Sequence, residues 1–191
     1  MRAFLAIPLM PEVGDSLRLL QESLGTLPAL AEFRWIPPQN IHLTLRFLGE
    51  IGEDEARRAG EALEAAAREG RAFEMPLERF GVFPHLRSPN VLWAGPGQCP
   101  KTLEAFAERL SGGLAGAGFP PEDRPFQAHL TIGRRRVRGR PPAGLEGELD
   151  AAERRWLSPP LRLWMGEATL FRSELRPGGA IYTTVHRALL A

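Results

Sequence analysis

The sequence predicts an α+β fold made of two pseudo-symmetric lobes with a cleft between them. Three observations carry this expectation. Strand-like and helix-like segments alternate, yet Pro177-Gly178-Gly179 turns the chain back on itself near the end, which makes an antiparallel hairpin and argues against a doubly wound parallel sheet. The pattern His-Leu-Thr-aliphatic occurs twice, at His42–Leu45 and His129–Ile132. The elements around the two copies also repeat loosely, so residues 1–191 read as one two-lobed domain with a tandem internal duplication, one motif per lobe.

The elements follow from local patterns. Arg2–Pro8 reads as a buried strand closed by proline. Residues 12–25 carry Val13, Leu17, Leu20 and Leu24 at helical spacing, and Leu27-Pro28 stops that helix. Trp35-Ile-Pro-Pro-Gln-Asn40 is a turn-rich approach to a strand over Ile41–Leu48, ended by Gly49. Glu53–Arg68, rich in Ala, Glu and Arg, predicts a helix closed at Gly70. Residues 72–80 and 90–95 read as strands around a loop at 81–89. Lys101–Leu114 places Leu103, Phe106, Leu110 and Leu114 on one helical face. Phe126–Gly133 reads as a strand, 146–156 as a short helix, Leu161–Leu175 as extended chain, and Ala180–Arg187 as the last strand.

Composition excludes several classes. With 191 residues and 43% hydrophobic content, the chain can bury a core without a metal or disulfide staple. One cysteine, Cys99, rules out an internal disulfide framework and a Cys-rich zinc cluster. No stretch approaches the ~20 apolar residues that span a bilayer, and the N-terminal apolar run is too short for a signal peptide's core. A cytoplasmic protein without membrane contact is expected. The net charge is +1, but the first half is net acidic and the second net basic. The run Arg134-Arg-Arg-Val-Arg-Gly-Arg140 holds five arginines in seven residues and makes a local positive patch.

The repeated motif carries the chemistry. Side chains alternate across a strand, so Ile41, Leu43, Leu45 and Phe47 are expected to face the core, and His42, Thr44 and Arg46 the opposite face. His129 and Thr131 share a face in the same way. One His-x-Thr on a strand says nothing, because Thr favours strands and His often sits in a core network. Two matching copies, each flanked by alternating apolar residues, say more. Two imidazoles facing across a cleft suit in-line displacement at phosphorus: a neutral ring takes the nucleophile's proton and a protonated ring gives one to the leaving oxygen. The threonine hydroxyls and a nearby arginine can hold the non-bridging oxygens. The motifs carry no adjacent Asp or Glu, so no metal and no cofactor are expected.

The chain resembles the two-histidine phosphoesterases, specifically the RNA 2′,3′-cyclic phosphodiesterases also called 2′-5′ RNA ligases. The resemblance runs nearly end to end. It rests on Arg2-Ala-Phe-Leu-Ala-Ile-Pro8, Trp35-Ile-Pro-Pro-Gln-Asn-Ile-His-Leu-Thr-Leu-Arg-Phe-Leu-Gly49, Val91-Leu-Trp-Ala-Gly95, Phe126-Gln-Ala-His-Leu-Thr-Ile-Gly-Arg134 and Ser173-Glu-Leu-Arg-Pro-Gly-Gly-Ala-Ile-Tyr182. It implies two α+β lobes, each an antiparallel sheet with helices packed outside, around a basic active-site cleft, and hydrolysis of RNA 2′,3′-cyclic phosphates to 2′-phosphomonoesters. It implies catalytic roles for His42 and His129, phosphate binding by Thr44 and Thr131, and a nucleotide contact at Arg134. His129 is expected to act as base on water and His42 as acid toward the 3′ oxygen. Two features depart from the pattern: Gln127 stands near the second histidine where proline is common, and the Arg135–Arg140 extension is either an RNA-backbone contact or a variable loop.

The remaining residues divide into contacts and packing. Arg46 is expected at the cleft mouth or paired with an acid such as Glu50, and Phe4 under a nucleobase or in the core. Trp35, Trp93, Trp156 and Trp164 read as packing residues. His85, His186 and Cys99 lack partner motifs. The expected partners are RNA ends, tRNA fragments among them, or small cyclic nucleotides, acted on by a monomer. The rival readings are a 2′-5′ RNA ligase joining a cyclic-phosphate end to a 5′-hydroxyl, and a non-catalytic RNA- or nucleotide-binding module.

Overall fold

A computed structural model describes residues 1–122, 124–136, 141–177 and 179–191. In chain order the elements are β1 (Arg2–Pro8), α1 (Gly14–Leu24), β2 (Phe33–Trp35), β3 (His42–Glu50), α2 (Glu53–Arg68), β4 (Phe73–Leu77), β5 (Arg79–Phe83) and β6 (Val91–Gly95). They continue with α3 (Lys101–Gly116), β7 (Leu130–Arg135), α4 (Leu145–Trp156), β8 (Leu161–Met165), β9 (Glu167–Arg176) and β10 (Gly179–Leu189). Among the described residues, no helix is long and apolar enough to cross a membrane.

All strand pairs are antiparallel. One half-sheet runs β10-β9-β1-β3, the other runs β7-β6-β5 with β2 on the far edge of β7, and β4 and β8 form a separate two-stranded ladder. The half-sheets meet at a single residue pair, Leu43 opposite Leu130, both fully buried. Each half-sheet draws strands from both halves of the sequence: β9 and β10 complete the sheet of β1 and β3, and β7 joins β2, β5 and β6.

Helices cover the outer faces. α2 packs on β9, β10 and α3. It turns Ala56, Ala59, Gly60, Ala62, Leu63, Ala66 and Ala67 inward, small residues that let the helix approach the sheet closely. Glu53, Asp54 and Glu55 sit in its first turn, where acids complement the positive end of the helix dipole, and the Glu55 carboxylate accepts from the Gly52 N–H at 2.8 Å. In the other lobe α4 packs on β5, and the Glu153 carboxylate accepts from the Phe80 N–H at 2.8 Å. α1 reaches the same lobe through Gln21, which is 6% exposed.

Several boundaries differ from expectation for identifiable reasons. The stretch expected as one strand over 72–80 is two, because β4 pairs with β8 and β5 with β6. Leu161–Leu175 likewise divides at Gly166 between the small ladder and the large sheet. β7 begins at Leu130 rather than Phe126, since Pro120, Pro121 and Pro125 keep the approach irregular. β2, only three residues long beside Pro37-Pro38, left too short a pattern to read.

Candidate active site

The junction of the half-sheets builds the site. The Leu43–Leu130 pair sets the two histidine motifs side by side. The strands diverge beyond this pair and leave a cleft of about 510 Å³, lined by His42, Thr44, His129, Thr131, Arg134 and Tyr182 among others. This size suits a small ligand.

Both imidazoles are held alike. The Asn40 carbonyl lies 2.9 Å from His42 Nδ1 and the Gln127 carbonyl 2.8 Å from His129 Nδ1. A carbonyl only accepts, so each Nδ1 carries the proton and each Nε2 is left for the cleft. The Asn40 side chain also donates to the Ala180 carbonyl at 3.1 Å, tying the start of β3 to β10. That tie brings Tyr182 edge-on to the His42 ring at 5.3 Å, while Phe4 covers the ring from another side at 4.8 Å. Phe83 meets His129 edge-on at 4.8 Å. Burial among these rings pushes His42 down to about 4, aided by repulsion from His129 and Arg134 and opposed by the Asn40 carbonyl. Burial lowers His129 as well, opposed by the Gln127 carbonyl and aided by Arg134. Burial raises the Tyr182 phenol, with Arg134 and Arg2 acting against it.

Two β-bulges decide what else reaches the cleft. On β3, Thr44 opposes Ala6 and Arg46 opposes Leu5, so Leu45 is an extra residue and the alternation reverses after it. Phe47, expected in the core, therefore lies on the cleft face and is 61% exposed. Arg46, expected with His42 and Thr44, points to the other face. It is 8% exposed, donates to the Pro120 carbonyl and pairs with Glu122 at 3.4 Å. The Arg46 cleft contact is thus corrected by the register. On β7, Trp93 opposes Thr131 and Leu92 opposes Gly133, which leaves Ile132 as the extra residue and puts Arg134 on the same face as His129 and Thr131. The Ile132 carbonyl accepts from the Ile36 N–H and from Gln21 Nε2, both at 3.0 Å, and Gln21 Nε2 also donates to the Ile36 carbonyl at 2.8 Å.

The other candidates are placed as follows. Phe4 lines the cleft but is only 3% exposed, covered by His42, Phe47, Phe171 and Tyr182, so it offers little face to a base. Arg135 pairs with Glu32 at 2.7 Å. Arg136 is exposed, and residues 137–140 lie outside the described residues. His85 is exposed on a loop, and His186 faces Glu64 at 3.6 Å. Burial and Glu104 push the Cys99 thiol up to about 11, away from nucleophilic chemistry. Tyr182, Phe47, Phe83 and Asn40 were not singled out from sequence. Only Phe47 and Asn40 had a signal, their closeness to the motif.

Known proteins resemble this chain in sequence and fold. The RNA 2′,3′-cyclic phosphodiesterase of Methanothermobacter thermautotrophicus is 35% identical over 184 residues, covering 95% of each chain. The enzyme of that name from Thermotoga maritima is 30% identical, covering 97% of this chain and 94% of its own. The crystal structure of E. coli LigT complexed with 3′-AMP superposes with a TM-score of 0.73 at 28% identity, covering 100% of this chain and 98% of that one. The model of the LigT-like phosphoesterases matches residues 7–93 and 95–182, and with two histidine motifs facing one cleft the chain belongs to that family.

Proposed function

We propose that the protein hydrolyses RNA 2′,3′-cyclic phosphate ends to 2′-phosphomonoesters with His42 and His129 as paired acid and base. The observation that carries this reading is the matched pair of Nδ1-anchored imidazoles, which line one cleft together with both motif threonines. Curated relatives bearing the name of this activity support it.

The geometry supplies two equivalent rings, and we assign His129 as the base and His42, charged by the bound phosphodiester, as the acid. His129, neutral, takes a proton from water at Nε2 as the water oxygen bonds to phosphorus. The bond from phosphorus to the 3′ oxygen breaks on the opposite side, and His42, protonated, delivers a proton from Nε2 to that oxygen. The hydroxyls of Thr44 and Thr131 and the Arg134 guanidinium hold the non-bridging oxygens as charge builds on them. Both rings favour the neutral form in the free protein, so the phosphodiester anion supplies the charge that lets one of them bind a proton. One chain provides both rings, consistent with a monomeric enzyme.

The two rings are held so alike that the site accepts a second nucleophile. An RNA 5′-hydroxyl in place of water forms a 2′-5′ linkage by the same displacement. The test is product analysis of a 2′,3′-cyclic-phosphate oligonucleotide with a chelator present, alone and with a 5′-hydroxyl RNA. A 2′-phosphate product is expected. A 3′-phosphate product, or loss of turnover on chelation, would overturn the mechanism.

A further inference from the structure

Beside the reacting cleft lies an arginine pair that the displacement does not use in full. β2 lies against β7 with Arg34 directly opposite Arg134, Phe33 opposite Arg135 and Trp35 opposite Gly133. Directly opposed residues of an antiparallel pair share a face, with Cβ atoms about 5 Å apart, and like charges there repel. Both side chains are exposed, and neither makes an ion pair with another described residue. The nearest acid on this edge, Glu32, is engaged by Arg135, whose side chain takes the opposite face. No carboxylate among the described residues lines the cleft. Two guanidinium groups held side by side without an acid form a place that an anion would stabilise, and the planar fork of arginine suits phosphate oxygens.

The position selects the anion. Arg134 lines the cleft with the two histidines, and so does Ile36, which follows directly on β2. The pair extends the cleft floor outward, one strand beyond the reacting centre. We propose that Arg34, beside Arg134, makes a second phosphate contact, which takes the internal phosphodiester one nucleotide upstream of the reacting cyclic phosphate while Arg134 stays with the reacting one. Arg34 is then a specificity residue that favours an RNA chain end over a cyclic mononucleotide. The inference rests on the cyclic-phosphate reading given above.

The test compares two dinucleotides ending in a 2′,3′-cyclic phosphate, one with a natural internal phosphodiester and one with an uncharged methylphosphonate, together with the cyclic mononucleotide. For the native protein, kcat/KM is expected to be about 10-fold higher with the charged linkage than with the neutral one, the scale of a charge-assisted phosphate contact. Arg34→Gln is expected to close that gap by lowering only the charged-linkage value. A gap that persists in Arg34→Gln, or a native protein indifferent to the linkage, overturns the second site while mononucleotide turnover upholds the reaction. Failure to turn over any of the three substrates overturns both. A folding defect in Arg34→Gln would lower all three rates together, which is a different pattern from the selective loss.

Discussion

Each histidine's work is set by one hydrogen bond. With Nδ1–H held by the carbonyl two residues earlier, the ring presents Nε2 in a fixed tautomer, so removing either ring removes a proton-transfer site. His42→Ala and His129→Ala are each expected to lower kcat by ~10²–10⁴-fold. Their roles separate with a substrate carrying sulfur at the 3′ bridging position, because a thiolate leaves without being protonated. That substrate is expected to restore turnover to His42→Ala and not to His129→Ala; the reverse pattern would exchange the two assignments. The pH dependence follows from the same environment. Burial disfavours the charged ring, so both histidines of the free protein titrate below 6.5, His42 near 4. The kcat/KM profile reports the free enzyme and is expected to peak on the acid side of 6.5. The kcat profile lies higher, because the bound phosphate anion favours a protonated ring. A kcat/KM maximum at or above 6.5 would show that the rings are not desolvated as their packing implies.

The bulges at Leu45 and Ile132 show where strand arithmetic succeeds and where it stops. Alternation placed His42 with Thr44 and His129 with Thr131, because two residues of pleat are fixed by covalent geometry. It failed for Arg46 and Phe47, because an extra residue between paired strands reverses the alternation and leaves no mark in the motif itself. The second bulge delivers Arg134 to the cleft, and Gln21 donates to the carbonyl of the bulged residue and to that of Ile36. Gln21→Met keeps the bulk and removes both donated bonds. Leaving such acceptors short of a partner in a buried site costs roughly 1–3 kcal/mol. The substitution is expected to raise KM more than it lowers kcat, since Arg134 loses its aim while the imidazoles keep theirs. In an Arg134→Ala background the KM effect of Gln21→Met is expected to vanish. Simple additivity of the two would show that Gln21 stabilises the fold without positioning the arginine.

At the scale of the whole molecule, the cleft gathers guanidinium charge with no carboxylate among the described residues that line it, although the chain's net charge is only +1. Binding of an RNA end through these arginines is expected to weaken as salt rises, with KM increasing and kcat changing little. Arg34→Gln is expected to flatten that salt dependence for an oligonucleotide, and an unchanged slope would place the phosphate contacts elsewhere. The sequence by itself determined the α+β class, most of the strands and helices, and the four polar side chains of the repeated motif. These depend on local period and covalent alternation, which a linear pattern records. Only the tertiary structure decided that β9 and β10 complete the first half-sheet, that Tyr182 closes on His42, that Arg46 turns away and that Arg34 stands beside Arg134. Those outcomes depend on register between strands as many as 169 residues apart, as in the pairing of Ala3 with Arg172. Such pairings are set by the packing of the whole core, which no short stretch of sequence encodes.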